Sequence, residues 1–185
     1  DIQLNDVGNY ENWKETPPEY QWKPVGDSFK GNFDGDGHVI SGMYVRSVKD
    51  WFGIGLFREL FTGSVSNVKI EKGYLYTYAG GVIGNIVGNV KVENCSVDMA
   101  VCSEVTNGTD CVGGIVGWCQ SGAVITECAF HGDISYRDSR GIFGGICGYA
   151  SRSTIINCET TGSVRVRDEK EYPAFKDYDE RFLYG

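Results

Sequence analysis

The chain has 185 residues, of which 41% are apolar and 13% aromatic, and its formal net charge is −8. This length supports one domain with a real hydrophobic core, and the apolar content is too high for a disordered polypeptide. Because the acidic excess repels phosphate groups, nucleic acid and anionic membranes are poor candidate partners. The sequence also lacks an apolar run of about 18 residues that could cross a membrane.

Residues 1–45 are predicted to form an N-terminal coil and cap. Residues 9–20 contain Pro17-Pro18 and are expected to form a loop that folds beside this coil. Near the end of the segment, Ile40-Ser41-Gly42-Met43 precedes a similar motif at Val65 by 25 residues. It is therefore interpreted as the first copy of a repeat.

Residues 46–166 contain an internal repeat that is recognised by two short motifs. Glycine-rich tetrads occur at Gly55-Leu56-Phe57-Arg58, Gly81-Val82-Ile83-Gly84, Gly114-Ile115-Val116-Gly117 and Gly145-Ile146-Cys147-Gly148. A second motif follows at a nearly constant distance, at Val65-Ser66-Asn67-Val68, Val92-Glu93-Asn94-Cys95, Ile125-Thr126-Glu127-Cys128 and Ile155-Ile156-Asn157-Cys158. Units this short are typical of a parallel β-solenoid rather than of propeller blades. We predict an all-β parallel β-helix of about five to six coils with capping segments.

Stacked coils place equivalent residues in columns about 4.8 Å apart. Three inward columns are predicted: Ile40, Val65, Val92, Ile125 and Ile155; Met43, Val68, Cys95, Cys128 and Cys158; and Val45, Ile70, Val97, Phe130 and Thr160. Between the first two columns lie Gly42, Asn67, Asn94, Glu127 and Asn157. Asn tolerates left-handed backbone, so we expect an amide ladder at a tight corner.

The chain has seven cysteines, an odd number, so at least one thiol is unpaired or bonds to another molecule. Cys95, Cys128 and Cys158 are expected to be small buried residues, although neighbours in one column would lie within disulfide range. The pair favoured for a disulfide is Cys102 and Cys111, which flank an inserted loop. No Cys-x-x-Cys spacing indicates zinc.

Catalytic or metal-binding patterns are weak. Only two histidines, His38 and His131, are available for a catalytic triad, and the turn at Asp34 lacks the other ligands of a calcium loop. No cofactor and no metal are expected. A polysaccharide-cleaving β-helix would need carboxylates on neighbouring coils, and the candidate pair for that alternative is Asp98 and Asp133.

A binding face is indicated more clearly. Tyr74, Tyr76 and Tyr78 alternate along one strand, so all three are expected on its outer side. Further along the axis the equivalent positions include Arg137, Arg165 and Arg167. Such a face could stack on sugar rings and pair with acidic glycan groups, or simply be a solvated surface. Trp118 and Tyr149 are predicted at equivalent positions on adjacent coils, with a structural role.

Residues 1–166 resemble the GLUG-motif repeats of bacterial surface proteins. The resemblance lies in the tetrads, the downstream Ile-x-Asn-Cys and the preceding run of residues 29–42, whereas Arg58 departs from it by replacing a closing glycine. It implies a right-handed β-helical segment of secreted or cell-surface proteins, including adhesin-like molecules and non-catalytic regions of IgA-specific metallopeptidases. It implies no catalytic residues.

The sequence therefore predicts a non-catalytic module at the bacterial cell surface, acting as a spacer or as an adhesin-like segment that contacts a host or polysaccharide glycan. The alternative is a polysaccharide-cleaving lyase or glycoside hydrolase. Residues 167–185 change to a charged and aromatic composition and are predicted to form a C-terminal cap or linker. Residues 1–5 have no signal-peptide pattern, and we expect the chain to be part of a longer polypeptide.

Overall fold

The computed structural model of the protein describes residues 1–46, 53–76, 81–103, 111–120, 122–136 and 141–166. In these ranges there is one short 3-10 turn, η1 (Tyr10–Asn12), and no α-helix. The strands are β1 (Ile2–Gln3), β2 (Phe29–Asp34), β3 (Val39–Ser41), β4 (Tyr44–Arg46), β5 (Phe57–Ser66), β6 (Lys69–Tyr76), β7 (Ile83–Ile86), β8 (Val90–Glu93), β9 (Ser96–Ser103), β10 (Cys111–Gly113), β11 (Val116–Cys119), β12 (Val124–Thr126), β13 (Ala129–Phe130), β14 (Ile134–Tyr136), β15 (Ile142–Gly144), β16 (Cys147–Ala150), β17 (Thr154–Ile156), β18 (Glu159–Thr160) and β19 (Val164–Val166).

The described strands pair in parallel, and the chain completes a turn between each strand and its partner. The first sheet has the order β1-β3-β6-β9-β13-β18, with β4, β14 and β19 along its side. The second has the order β2-β5-β8-β12-β17, with β7 beside β5, and β10–β15 and β11–β16 form shorter pairs. The predicted parallel β-solenoid is confirmed, with about four turns. Its handedness, the count of five to six coils and the division at residues 45 and 166 stay predictions.

The first predicted core column is present from its second member onward. Val65 pairs with Val92, Val92 with Ile125, and Ile125 with Ile155. The member that precedes Val65 is Phe33, whereas Ile40 pairs with Ile70 in a different column. The predicted place of Ile40 is therefore wrong.

Two extra residues at the first corner explain the error. Ile40 follows Phe33 by seven positions, whereas Ile70 follows Val65 by five. The longer turn includes Asp36, which has a positive φ of 50°. Because the whole first turn is displaced, other members of the predicted columns are misplaced as well. Val45 pairs with Leu75 rather than with Ile70, and the carbonyl of Met43 accepts a hydrogen bond from the Tyr74 N–H.

The predicted amide ladder occupies the corner between the two main sheets. Asn67, Asn94, Glu127 and Asn157 all have φ between 51° and 54°. The Asn94 side chain donates to the side-chain oxygen of Asn67 at 2.7 Å, and the Asn67 side chain donates to Asp34 at 2.8 Å. Asp34 accepts the first of these hydrogen bonds, whereas the register places Gly35, not Gly42, opposite Asn67. Left-handed backbone favours Asn over residues with larger side chains, so this corner explains the repeated Ile-x-Asn-Cys motif.

The cysteine that follows each left-handed residue also bonds within the corner. Cys128 Sγ lies 3.2 Å from the carbonyl oxygen of Thr126, two residues earlier, and Cys95 and Cys158 make the same contact with Glu93 and Ile156 at 3.4 Å and 3.3 Å. A small thiol therefore fills the column and donates weakly to a carbonyl. Cys102 and Cys111 are buried, the loop between them lies outside the described residues, and their pairing stays a prediction.

Glycine opens each tetrad because neighbouring turns approach too closely there for a side chain. A Cβ on Gly55 would collide with the carbonyl oxygen of Gly81, and a Cβ on Gly114 with that of Gly145. Arg58, which replaces a closing glycine, forms an ion pair with Asp27 at 3.2 Å.

The N-terminal segment packs on the outer side of the first sheet, as predicted for residues 9–20. Trp13 is buried and makes an edge contact with Tyr44, with ring centres 5.9 Å apart. The Asn5 side chain donates to the carbonyls of Tyr20 and Gly42 at 2.8 Å and 2.9 Å. These contacts hold the segment across the strands that carry Tyr44 and Tyr74.

The last described turn leaves part of the core column exposed. Ile155 is 43% exposed, although its partner Ile125 is fully buried. The predicted cap or linker at residues 167–185 lies outside the described residues.

Candidate ligand-binding face

The register of the first sheet aligns one outward row of side chains. Arg46 pairs with Tyr76, Tyr76 with Cys102, Cys102 with Ser135, and Ser135 with Arg165. We call these residues the arginine row. Tyr76 and Arg165 therefore occupy one row, as the alternation predicted. Tyr78, Arg137 and Arg167, the other predicted members of the face, lie outside the described residues.

Tyr74 does not belong to an exposed face. Its side chain is only 6% exposed and stacks on Tyr44, with ring centres 5.9 Å apart and planes 18° from parallel. Trp13 packs on Tyr44 and belongs to the same buried cluster as Tyr74, so the N-terminal segment covers Tyr74. Alternation correctly placed Tyr74 on the outer side of the strand, but exposure was the wrong inference because another segment lies over it.

Tyr76 has a cationic partner that the sequence analysis missed. The Arg46 guanidinium lies over the Tyr76 ring, 5.1 Å from its centre. Burial raises the pKa of Tyr44, and the positive charge of Arg46 partly offsets this effect. The signal was present in the sequence: once Ile40 is aligned with Ile70, the same interval of 30 residues aligns Arg46 with Tyr76.

The spacing of the arginine row fixes what it can bind. Arg165 is three rungs from Tyr76, which corresponds to about 14 Å along the axis. A single sugar ring placed against Tyr76 could therefore not reach Arg165. Arg46, in contrast, lies against the tyrosine and is exposed. An elongated ligand along the axis could reach both arginines.

The predicted carboxylate pair is not aligned. Asp133 lies beside Ala100, and its carboxylate accepts hydrogen bonds from the Ser163 hydroxyl and N–H at 2.6 Å and 3.0 Å. Asp98 instead pairs with Glu71 on the preceding turn. The expectation that Asp98 and Asp133 occupy equivalent places is therefore wrong.

Glu71 and Asp98 have other partners. Glu71 forms an ion pair with Lys69 at 2.6 Å. Burial raises the pKa of Tyr10, and the charge of Asp98 raises it further.

Each of the two histidines contacts a group other than Glu71 and Asp98. His131 Nδ1 lies 2.8 Å from the Thr161 hydroxyl, and His38 Nδ1 lies 3.2 Å from the N-terminal amine of Asp1. Within the described ranges, no three His, Cys, Asp or Glu side chains are grouped so that they could hold a metal ion.

These features define a parallel β-solenoid that displays side chains in axial rows. The chain is 32% identical over 103 residues to Halomucin of Haloquadratum walsbyi (strain DSM 16790 / HBSQ001), a similarity that covers 55% of this chain. The chain spans only about 1% of the length of Halomucin. No protein-family model matches the chain, and no solved structure matches it. The resemblance to GLUG-motif repeats stays a prediction.

The described part of the chain contains no helix with the length and hydropathy needed to span a bilayer.

Proposed function

We propose that the protein is a non-catalytic, extracellular β-solenoid module that binds acidic polysaccharide along its arginine row. The observation that carries this proposal is the Arg46–Tyr76 pair, with the guanidinium 5.1 Å from the ring centre. A tyrosine face packs against the C–H face of a sugar ring, and an arginine fork binds a sugar carboxylate or sulfate.

The axial arrangement supports a chain ligand rather than a single sugar. Ser135 offers a hydroxyl between Tyr76 and Arg165 in the same register, while Cys102, the other residue between them, is buried. The arginines are local cationic sites on a chain whose net charge is −8, so binding depends on short-range pairing rather than on long-range attraction.

The extracellular location rests on sequence similarity. The resemblance to GLUG-motif repeats implies a secreted or cell-surface protein, and similarity to a segment of Halomucin, a protein whose name refers to mucins, is consistent with it. A parallel solenoid with rows of outward side chains suits a spacer or adhesin-like module of a bacterial surface protein.

The test is binding to an array of acidic glycans, including oligogalacturonate and hyaluronan fragments. We expect a signal that is lost in Tyr76→Ala and Arg46→Gln and that weakens as sodium chloride is raised from about 0.05 M to about 0.5 M. Tyr20→Ala is the matched control, because Tyr20 is an exposed tyrosine outside the row. An absent signal, or one that Tyr76→Ala and Arg46→Gln leave unchanged, contradicts the proposed function.

The non-catalytic part of the proposal is tested separately. A polysaccharide lyase or hydrolase would release new reducing ends from these glycans during incubation. We expect none. Release that is lost in Asp98→Asn or Glu71→Gln would favour the enzyme instead.

A further inference from the structure

A second outward row begins on the second main sheet and continues on the β11–β16 pair. Glu59 pairs with Asn85, and Trp118 pairs with Tyr149. Hydrogen bonds from Ile83 N–H to the Ile115 carbonyl and from Gln120 N–H to the Ile86 carbonyl place Asn85 beside Trp118. Glu59, Asn85, Trp118 and Tyr149 therefore occupy four successive turns, and we call them the aromatic row.

The aromatic end of this row is exposed. Trp118 is 36% and Tyr149 39% exposed, and Val116 and Cys119, on either side of Trp118, are fully buried. The two rings meet edge to face, with centres 5.9 Å apart and planes at 88°. This contact fixes each ring while leaving a large apolar surface in solvent, so the predicted structural stacking explains only part of the arrangement.

The polar end of the row is held in place by hydrogen bonds. The Asn85 side chain donates to one carboxylate oxygen of Glu59 at 2.9 Å, and the Ser28 hydroxyl donates to the other at 3.2 Å. Asn85 is only 5% exposed, and its side-chain oxygen has no hydrogen-bond partner among the described residues. The row thus combines an oriented carboxylate, an unsatisfied buried acceptor and two exposed rings.

This combination selects for neutral sugars. Aromatic faces pack against the C–H faces of pyranose rings, while the carboxylate oxygens of Glu59 accept hydrogen bonds from sugar hydroxyls. A carboxylate cannot donate, and its charge repels uronic acids and sulfated sugars. The row covers three rung spacings, about 14 Å, so a linear chain rather than one ring contacts both ends.

We propose that the Glu59–Asn85–Trp118–Tyr149 row is a second saccharide-binding site, specific for a neutral linear polysaccharide that lies along the solenoid axis. It is not on the sheet that carries the arginine row, and it takes an uncharged ligand rather than an acidic one. The two sites can therefore be present or absent independently.

The probes are neutral hexasaccharides, cellohexaose, laminarihexaose and mannohexaose, each titrated calorimetrically into the whole chain. We expect one of them to bind and its affinity to fall about tenfold or more in Trp118→Ala and in Tyr149→Ala. Trp118→Phe, which keeps an aromatic ring, should retain most of the affinity. Tyr20→Ala is the matched control and should bind as the unmodified chain does.

Two results would overturn the proposal. One is the absence of binding to all three hexasaccharides. The other is binding that Trp118→Ala and Tyr149→Ala leave unchanged while circular dichroism shows both variants folded.

Oligogalacturonate separates this site from the proposed function. Its binding should be lost in Tyr76→Ala and unchanged in Trp118→Ala. Loss of oligogalacturonate binding in Trp118→Ala would contradict the independence of the two rows, whereas failure of oligogalacturonate to bind at all would count only against the arginine row.

Discussion

The side chain of Asn94 donates a hydrogen bond of 2.7 Å to the side chain of Asn67, its counterpart on the preceding turn. The two residues are 27 positions apart in sequence and share a left-handed backbone. The pair therefore shows two features of the corner: a side-chain hydrogen bond between neighbouring turns, and a left-handed backbone in each turn.

Replacing Asn94 separates these two contributions. Asn94→Ala loses the side-chain amide and puts a less suitable residue at φ 51°, so we expect a loss of about 1–2 kcal/mol in the free energy of unfolding. Asn94→Gly keeps the left-handed backbone and loses only the exposed hydrogen bond, so its loss should be below about 1 kcal/mol. Denaturant unfolding measures both, and equal losses would contradict the importance of the backbone conformation.

Acid should weaken the first corner. Hydrogen bonds from the Asn67 side chain and from the Asp36 N–H hold the pKa of Asp34 below its ordinary value. The folded pKa is depressed, so the stabilisation is present above the unfolded value of about 3.9 and is lost as the pH falls through the folded pKa. Titration of the Asp34 carboxyl by NMR should give a higher pKa in Asn67→Gly. An unchanged pKa would exclude the Asn67 contact as its main cause.

Trp13 should contribute strongly to stability even though it lies in the N-terminal segment. Its ring is 2% exposed and packs against Tyr44 and Tyr10. Because Trp13→Ala removes this packing, we expect a loss of about 3–5 kcal/mol in the free energy of unfolding and faster hydrogen exchange at Tyr74. Trp118→Ala, at an exposed site, should cost about 1 kcal/mol or less. Similar losses in the two variants would show that the segment does not cover the sheet.

Cys128 and Cys147 should react slowly in the folded protein. The pKa of Cys128 lies above its ordinary value because Cys128 hydrogen-bonds with Cys95 and is buried. Burial raises the pKa of Cys147 to about 12. Because the thiolate is the reacting species, iodoacetamide at about pH 8 should modify Cys128 and Cys147 only after unfolding. Peptide mapping of folded and unfolded protein measures this, and equal rates would contradict the burial of these thiols.

Repeat spacing was sufficient to predict the solenoid and most of its register. Val92, Ile125 and Ile155 align as predicted because the distances within those units hardly vary. Ile40 was misplaced because the sequence Ile40-Ser41-Gly42-Met43 is similar to the motif at Val65. The corner before Ile40 is longer than the later corners, so the residues after it are shifted in register. Local similarity cannot reveal an insertion when the chain on both sides remains apolar.

The candidate site was harder to predict than the fold. The alternation of side chains along the strand correctly predicted that Tyr74 lies on its outer side. The burial of Tyr74, however, depends on Trp13, a residue 61 positions earlier. Nothing local to the strand encodes that long-range contact. For the aromatic row, in contrast, the repeat correctly predicted that Trp118 and Tyr149 lie at equivalent positions on adjacent turns. Their exposure, which suggests a binding role, was known only from the structure.

Methyl–methyl nuclear Overhauser effects from Val92 provide the most direct test of parallel stacking. The structure predicts contacts from Val92 to Val65 on one side and to Ile125 on the other, with neighbouring rungs about 4.8 Å apart. Observation of both contacts in one sample would agree with the solenoid. If Val92 instead contacted residues of an antiparallel hairpin and neither Val65 nor Ile125, the register and both proposed binding rows would be contradicted.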